Sequence, residues 1–326
     1  MQIFDARAVR DRCPLPALVQ ALRRALVAGA EVPQRHVHAL PGGASLLLMP
    51  AWRHAGPAEA GRTGPRLGVK TVTVCPGNSA LGLPGVHGLY SLFDARTGVP
   101  LAVLDGGELT ARRTVAASAL AASYLAREDA TKLLVVGAGR VAALLPEAMR
   151  AVRPGLAEFT VWARRAEAAD AVAAEWRAQA LHAGATRTIR AISDLGDLAA
   201  AVHDAHIVSC ATLATEPLVR GAWLQPGTHL DLIGSFTPAM READGECFVR
   251  SRVWVDTSEA LAKAGDLLQA VAEGAFSPQR LQGTLADLAR ADAAARTSAG
   301  ECTLFKSVGT AVEDLAAAEL VFEGPG

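Results

Sequence analysis

The amino-acid sequence predicts an α/β fold: a doubly wound parallel sheet inserted into a second, α+β domain built from both chain ends. Three observations carry this expectation. From Lys132 onward, short apolar runs alternate with helical stretches, as in a parallel sheet covered on both faces. The first of those runs ends in Gly137-Ala138-Gly139-Arg140-Val141-Ala142, a glycine turn that opens a helix. Earlier in the chain the apolar runs are split by Gly and Pro, as in a mixed or antiparallel sheet. The expected division is a Rossmann domain at 115–297, with 1–114 and 298–326 forming the other domain.

In chain order, residues 7–29 read as one helix. Val9, Leu15, Leu18, Leu22 and Leu26 recur at helical spacing, and Gly29 is its stop. Runs at 45–49, 67–74, 88–93 and 100–104 read as strands, with a turn at 94–98. A helix rich in small residues follows at 111–127. The second series places strands at 132–136, 158–162, 188–192, 207–210, 229–233 and 253–255, with helices up to about 152 and near 165–180. The segment 302–320 begins extended and ends helical.

Composition narrows the function. The chain has 326 residues and a formal net charge of -1, with no basic tract and little aromatic content, which argues against a nucleic-acid partner. Cys13, Cys75, Cys210, Cys247 and Cys302 are scattered without a CxxC pair, which argues against a zinc site and a disulfide framework. No signal peptide is visible, and no uninterrupted apolar stretch of about 18 residues occurs. The expectation is a cytoplasmic protein with reduced thiols, no metal and no membrane partner. Lys70, Lys132, Lys263 and Lys306 are the only lysines, so few residues compete for a catalytic ammonium.

The glycine turn has the GxGxxA form of a dinucleotide site. Gly137 permits a tight turn, Gly139 lets a pyrophosphate approach, and Ala142 lets helix pack on strand. The helix start at Arg140 and Val141 supplies amides and a favourable dipole. The second strand ends in Ala163-Arg164-Arg165, where an NAD site usually has an acid for the ribose hydroxyl. Arginines there suit a 2′-phosphate, so NADP(H) is favoured over NAD(H). A solvated helix start would also accommodate both arginines.

Several further segments occur in order along nearly the whole chain. They are Val32-Pro33-Gln34-Arg35, Leu48-Met49-Pro50-Ala51-Trp52, Leu67-Gly68-Val69-Lys70, Pro76-Gly77-Asn78 and Leu109-Thr110-Ala111-Arg112-Arg113-Thr114. Ala211-Thr212, Gly234-Ser235-Phe236-Thr237-Pro238 and Phe305-Lys306-Ser307-Val308-Gly309 complete the set. Together with the glycine turn, they resemble the ornithine cyclodeaminase/mu-crystallin family. The resemblance implies a substrate and dimerisation domain around the Rossmann domain, and a homodimer. It implies that Arg35 and Arg113 bind the substrate carboxylate and that Lys70 stands at the reaction centre. Thr114, Thr212 and Ser307 are implied at the cofactor. Arg112 falls at a variable place. Taken alone, Lys70 also fits an ordinary lysine whose head reaches water along an apolar stem.

One departure bears on the activity. Ornithine cyclodeaminase carries an aspartate two residues after the glycine of the Gly234 motif, and this chain has Phe236. Phenylalanine can neither accept a proton nor bind an ammonium. Asp231 sits at odd spacing and is expected on the other face of its strand. Gly85 is a further mismatch. The run from Ser235 to Glu242 instead looks like the reductases of Δ1-pyrroline-2-carboxylate and Δ1-piperideine-2-carboxylate, with Phe236 as an apolar wall for the ring. The expected reaction, in proline metabolism, is hydride transfer from NAD(P)H to a cyclic imine, giving proline or pipecolate. Ornithine cyclodeaminase, an alanine dehydrogenase-like enzyme and a non-catalytic mu-crystallin-like binding protein are the alternatives.

Overall fold

The computed structural model describes residues 1–53 and 64–324. Its first elements are β1 (Gln2–Phe4), α1 (Ala6–Arg12), α2 (Leu15–Ala28), β2 (His36–Ala39), β3 (Ser45–Arg53), β4 (Arg66–Val74), β5 (Val86–Asp94), β6 (Pro100–Asp105) and α3 (Gly106–Leu125). There follow β7 (Lys132–Val136), α4 (Arg140–Val152), β8 (Glu158–Trp162), α5 (Ala166–His182), β9 (Thr188–Ile192), α6 (Leu195–Asp204), β10 (Ile207–Cys210) and β11 (His229–Leu232). The chain closes with α7 (Gly245–Arg250), β12 (Ser251–Val255), α8 (Ala260–Lys263), α9 (Gly265–Ala272), β13 (Leu281–Thr284), α10 (Leu285–Ala291), β14 (Cys302–Lys306) and α11 (Ala311–Glu323). Two compact units result: Met1–Arg113 with the chain from Thr310, and Thr114–Gly309.

The first unit holds a sheet in the order β1-β6-β5-β4-β3-β2, antiparallel except for the β1–β6 pair. Met49, Ala51, Gly68, Lys70, Tyr90, Leu92, Ala102 and Leu104 share one face and are buried. Helix α11 packs against β3, β4 and β5, and α2 packs on α11. The stripe Leu15, Leu18, Val19, Leu22 and Leu26 of α2 is buried, which follows from its helical spacing. On the opposite sheet face Ile3 and Leu89 are 77% and 55% exposed among the described residues. The single helix expected at 7–29 is two helices. Pro14 disfavours helical backbone at Cys13, whereas Pro16 sits in the first turn of α2, where its missing N–H costs nothing.

The second unit holds a parallel sheet in the order β13-β12-β14-β11-β10-β7-β8-β9. Strands β8 and β9 lie to one side of β7, and β10 and β11 to the other. The order therefore reverses between β7 and β10, the point where open α/β sheets bind ligands at their carboxyl ends. Strand β14 sits between β11 and β12, so 302–306 belongs to this sheet and not to the other domain as expected. Every residue of β14 is buried, and its backbone needs a ladder on both edges, which this sheet supplies. Among the described residues, no helix is long and apolar enough to cross a membrane.

Candidate functional site

In the first unit the site grows from the middle of β4. Lys70 pairs across the sheet with Met49 of β3 and Tyr90 of β5, on the face that α11 covers. Its ammonium does not reach water, because the side chain is 4% exposed and Nζ lies 2.7 Å from Asp314 Oδ2. The alternative of a lysine with its head in solvent is thereby removed. Asp314 Oδ1 accepts from Arg113 Nε at 2.9 Å, and Glu313 Oε2 accepts from Arg113 Nη1 at 3.0 Å. One carboxylate thus joins the lysine to the arginine. Both acids lie in the first turn of α11, where the helix dipole also favours negative charge.

Burial pushes the Lys70 ammonium below its ordinary pKa; Asp314 opposes this and Arg113 adds to it. Burial works against the Asp314 carboxylate, but Lys70 and Arg113 together hold it below the usual range. The Tyr90 hydroxyl is buried beside this group and has no hydrogen-bond partner among the described residues, and burial raises its pKa. Arg35 is half-buried directly before edge strand β2. The β2–β3 register pairs His36 with Leu48, which puts Arg35 level with Met49 and hence with Lys70. Two strand spacings, about 10 Å, separate those backbones. The sheet therefore aligns Arg35 with Lys70, while Asp314 gathers Lys70 and Arg113.

In the second unit the expected cofactor residues other than Thr114 follow the carboxyl ends of β7, β8, β10 and β14. Gly137 has φ +123°, and a side-chain carbon there would meet Ala211 O at 2.5 Å. That requirement places the β7 turn directly against the β10 turn. Gly139 caps α4, and a side-chain carbon there would meet no atom within 4 Å. An open backbone at a helix start, at the reversal of strand order, fits a dinucleotide pyrophosphate. Ala142 is fully buried, as close helix–strand packing demands. Arg140 and Val141 begin α4, with Arg140 exposed and Val141 half-buried. Ala163 is buried after β8, while Arg164 and Arg165 are exposed before α5.

Thr114 is buried on α3. Thr212 follows β10, and Ser307 follows β14 with its N–H donating to Leu232 O at 3.1 Å. Phe236 is 49% exposed in the loop after β11. Asp231 points elsewhere, accepting from Ser118 Oγ at 3.0 Å and from Ser209 Oγ at 2.9 Å, and burial pushes its carboxyl up to about 7. Sequence reasoning missed Glu313 and Asp314. The available signal was an apolar closing helix that carries acids at 313, 314 and 319, since buried acids require cations.

A dinucleotide turn at the reversal point of the second unit's parallel sheet, together with a buried lysine–arginine cluster in the first unit, defines a two-unit dinucleotide-binding α/β protein. The model of the ornithine cyclodeaminase/mu-crystallin family matches residues 15–324, and the chain belongs to this family. The Δ1-pyrroline-2-carboxylate reductase of Paracoccus denitrificans is 43% identical over 255 residues, 78% of each chain. The structure of the Thermococcus litoralis Δ1-pyrroline-2-carboxylate reductase, in complex with NADH and L-proline, is similar at TM-score 0.88 and 30% identity, covering 99% of this chain and 97% of that one. An archaeal alanine dehydrogenase dimer with bound NAD is similar at TM-score 0.85 and 27% identity, covering 99% and 95%.

Proposed function

We propose that the chain reduces the C=N bond of a cyclic imino acid, Δ1-pyrroline-2-carboxylate or Δ1-piperideine-2-carboxylate, to proline or pipecolate. The observation that carries this reading is the buried Lys70–Asp314–Arg113 cluster. It offers one ammonium with a proton to give beside a guanidinium suited to a carboxylate. The reduced nicotinamide, when bound, supplies the hydride that adds to C2 of the imine. As that bond forms, the C=N π pair moves to nitrogen, which takes a proton. Lys70 orients the imine and supplies or relays this proton. Arg113 and Arg35 hold the substrate carboxylate, and Phe236 offers an apolar wall to the ring. On the cofactor side, Gly137, Gly139, Arg140 and Val141 receive the pyrophosphate. Thr114, Thr212 and Ser307 serve the rest of the cofactor.

Phe236 separates this reading from cyclodeamination. Ammonia release from ornithine is expected to be negligible beside imine reduction, and comparable rates would refute the reading. Phe236→Asp is not expected to create full deaminase activity, because Gly85 also differs.

The first domain, taken as residues 1–114 with the C-terminal segment, is the substrate and dimerisation domain in this reading. Its sheet face with the exposed Ile3 and Leu89 suits a second copy of the chain. Five unpaired thiols suit a cytoplasmic setting.

NADPH is the preferred cofactor in this proposal. Ala163 leaves no acid to repel a 2′-phosphate, and the exposed Arg164 and Arg165 can pair with it. Titration should show NADPH binding tighter than NADH. Arg164→Ala should weaken NADPH by about tenfold or more and NADH little. A wild type that prefers NADH, or a variant equally impaired for both, would contradict the assignment.

A further inference from the structure

Three loop donors converge on one buried carboxylate in the second unit. Glu242 Oε1 accepts from Thr212 N at 2.7 Å and from Thr212 Oγ1 at 2.9 Å. Glu242 Oε2 accepts from Gly234 N at 2.7 Å. The two loops already touch through backbone: a side-chain carbon on Gly234 would lie 2.0 Å from Thr212 O and 2.4 Å from Glu242 Oε1. Glu242 is anchored in turn. Its own N–H and that of Ala243 donate to Asp266 Oδ1 at 2.7 and 3.1 Å. Asp266 Oδ2 faces Lys306 Nζ at 3.2 Å, and that ammonium donates to Leu232 O at 3.1 Å. A buried ionic chain therefore ties together the carboxyl ends of β10, β11 and β14.

A carboxylate is the group this geometry requires. Glutamine presents one oxygen and one NH2, so either Thr212 or Gly234 would face a donor with its own donor. Full burial makes a charged group costly and raises this carboxyl, while Lys306 and the N–H groups of Thr212 and Gly234 favour its charged form. Filling space would not require that cost. The loops it joins follow β10, which lies next to β7, and β11, the strand beyond it; the order of the sheet reverses between β7 and β10, where dinucleotides bind.

We propose that Glu242 is a positioning residue that fixes the Thr212 and Gly234 loops for the nicotinamide half of the cofactor. The inference rests on the reductase reading above. It predicts that Glu242 matters for the reactive end of the cofactor and much less for the adenosine diphosphate end, whose pyrophosphate the Gly137 turn receives.

The test compares wild type and Glu242→Gln in three measurements. They are the affinity for NADPH, the affinity for 2′-phospho-ADP-ribose, which lacks nicotinamide, and kcat with Δ1-pyrroline-2-carboxylate. Leaving one buried donor unmet should weaken NADPH by about tenfold or more and lower kcat by at least as much. Binding of the fragment should fall by a clearly smaller factor, since the Gly137 turn meets the β10 turn but takes no hydrogen bond from Glu242. Glu242→Asp keeps the charge on a stem one methylene shorter, and should show the same selective pattern with a smaller effect. Equal weakening of NADPH and fragment would overturn the proposal, because it would mean a general loosening. Unchanged binding and kcat would overturn it as well, as would failure of both variants to fold. A wild type that binds NADPH without reducing the imine would instead refute the reductase reading. The two binding measurements would still decide the role of Glu242.

Discussion

Lys70→Met is expected to lower kcat for imine reduction by about a hundredfold or more, the usual range for losing a positioned proton-transfer group. Methionine keeps much of the stem's volume and deletes the charge. NADPH affinity should survive, because the cofactor residues lie in the second unit. Stability should fall but not vanish: Asp314 loses Lys70 yet keeps Arg113 Nε at 2.9 Å. Lys263→Met is the control, since Lys263 pairs with Glu259 on its own helix turn. A kcat near wild type in the Lys70 variant, at saturating imine, would remove this residue from the mechanism.

Asp314→Asn should impair turnover by a comparable factor and should also move the pH profile. Asp314 is the charge that raises the Lys70 pKa against burial and Arg113. Without it the ammonium loses its proton at lower pH. If the protonated lysine is the working form, the loss of rate on the alkaline side must begin at lower pH than in wild type. Measuring kcat against pH for both proteins checks this. A lower kcat with the alkaline limb unmoved would mean that Asp314 acts through stability or shape and not through the proton on Lys70.

Much of the second unit was legible because its strands are short apolar-rich runs alternating with helices; β7 and β10 are buried almost throughout, whereas edge strand β9 is not. The expected strands at 132–136, 158–162, 188–192 and 207–210 coincide with β7 to β10. Strand β2 was not legible. His36–Ala39 is exposed throughout and joins the sheet only through its register with β3. The place of β14 could not be read locally, since an apolar run does not say which sheet will pair with it. The same limit applies to the candidate site. Lys70, Arg113, Gly137 and Thr212 stand in recognisable segments, and Glu242 ends another, but Asp314, which holds Lys70 and Arg113, does not. Asp314 and Glu242 look like surface carboxylates in sequence. Only folding shows Asp314 beneath Lys70 and Glu242 between two loops that lie 30 and 8 residues away along the chain.

The activity proposed for this chain couples nicotinamide oxidation to reduction of a cyclic imine. The most direct measurement follows NADPH consumption and amino-acid product together, with Δ1-pyrroline-2-carboxylate as substrate and pyruvate plus ammonia in a parallel reaction. One proline is expected for each NADPH oxidised, with little consumption in the presence of pyruvate plus ammonia. Proline formed from ornithine with ammonia release and no net cofactor consumption, or faster turnover of pyruvate plus ammonia than of the imine, would contradict it.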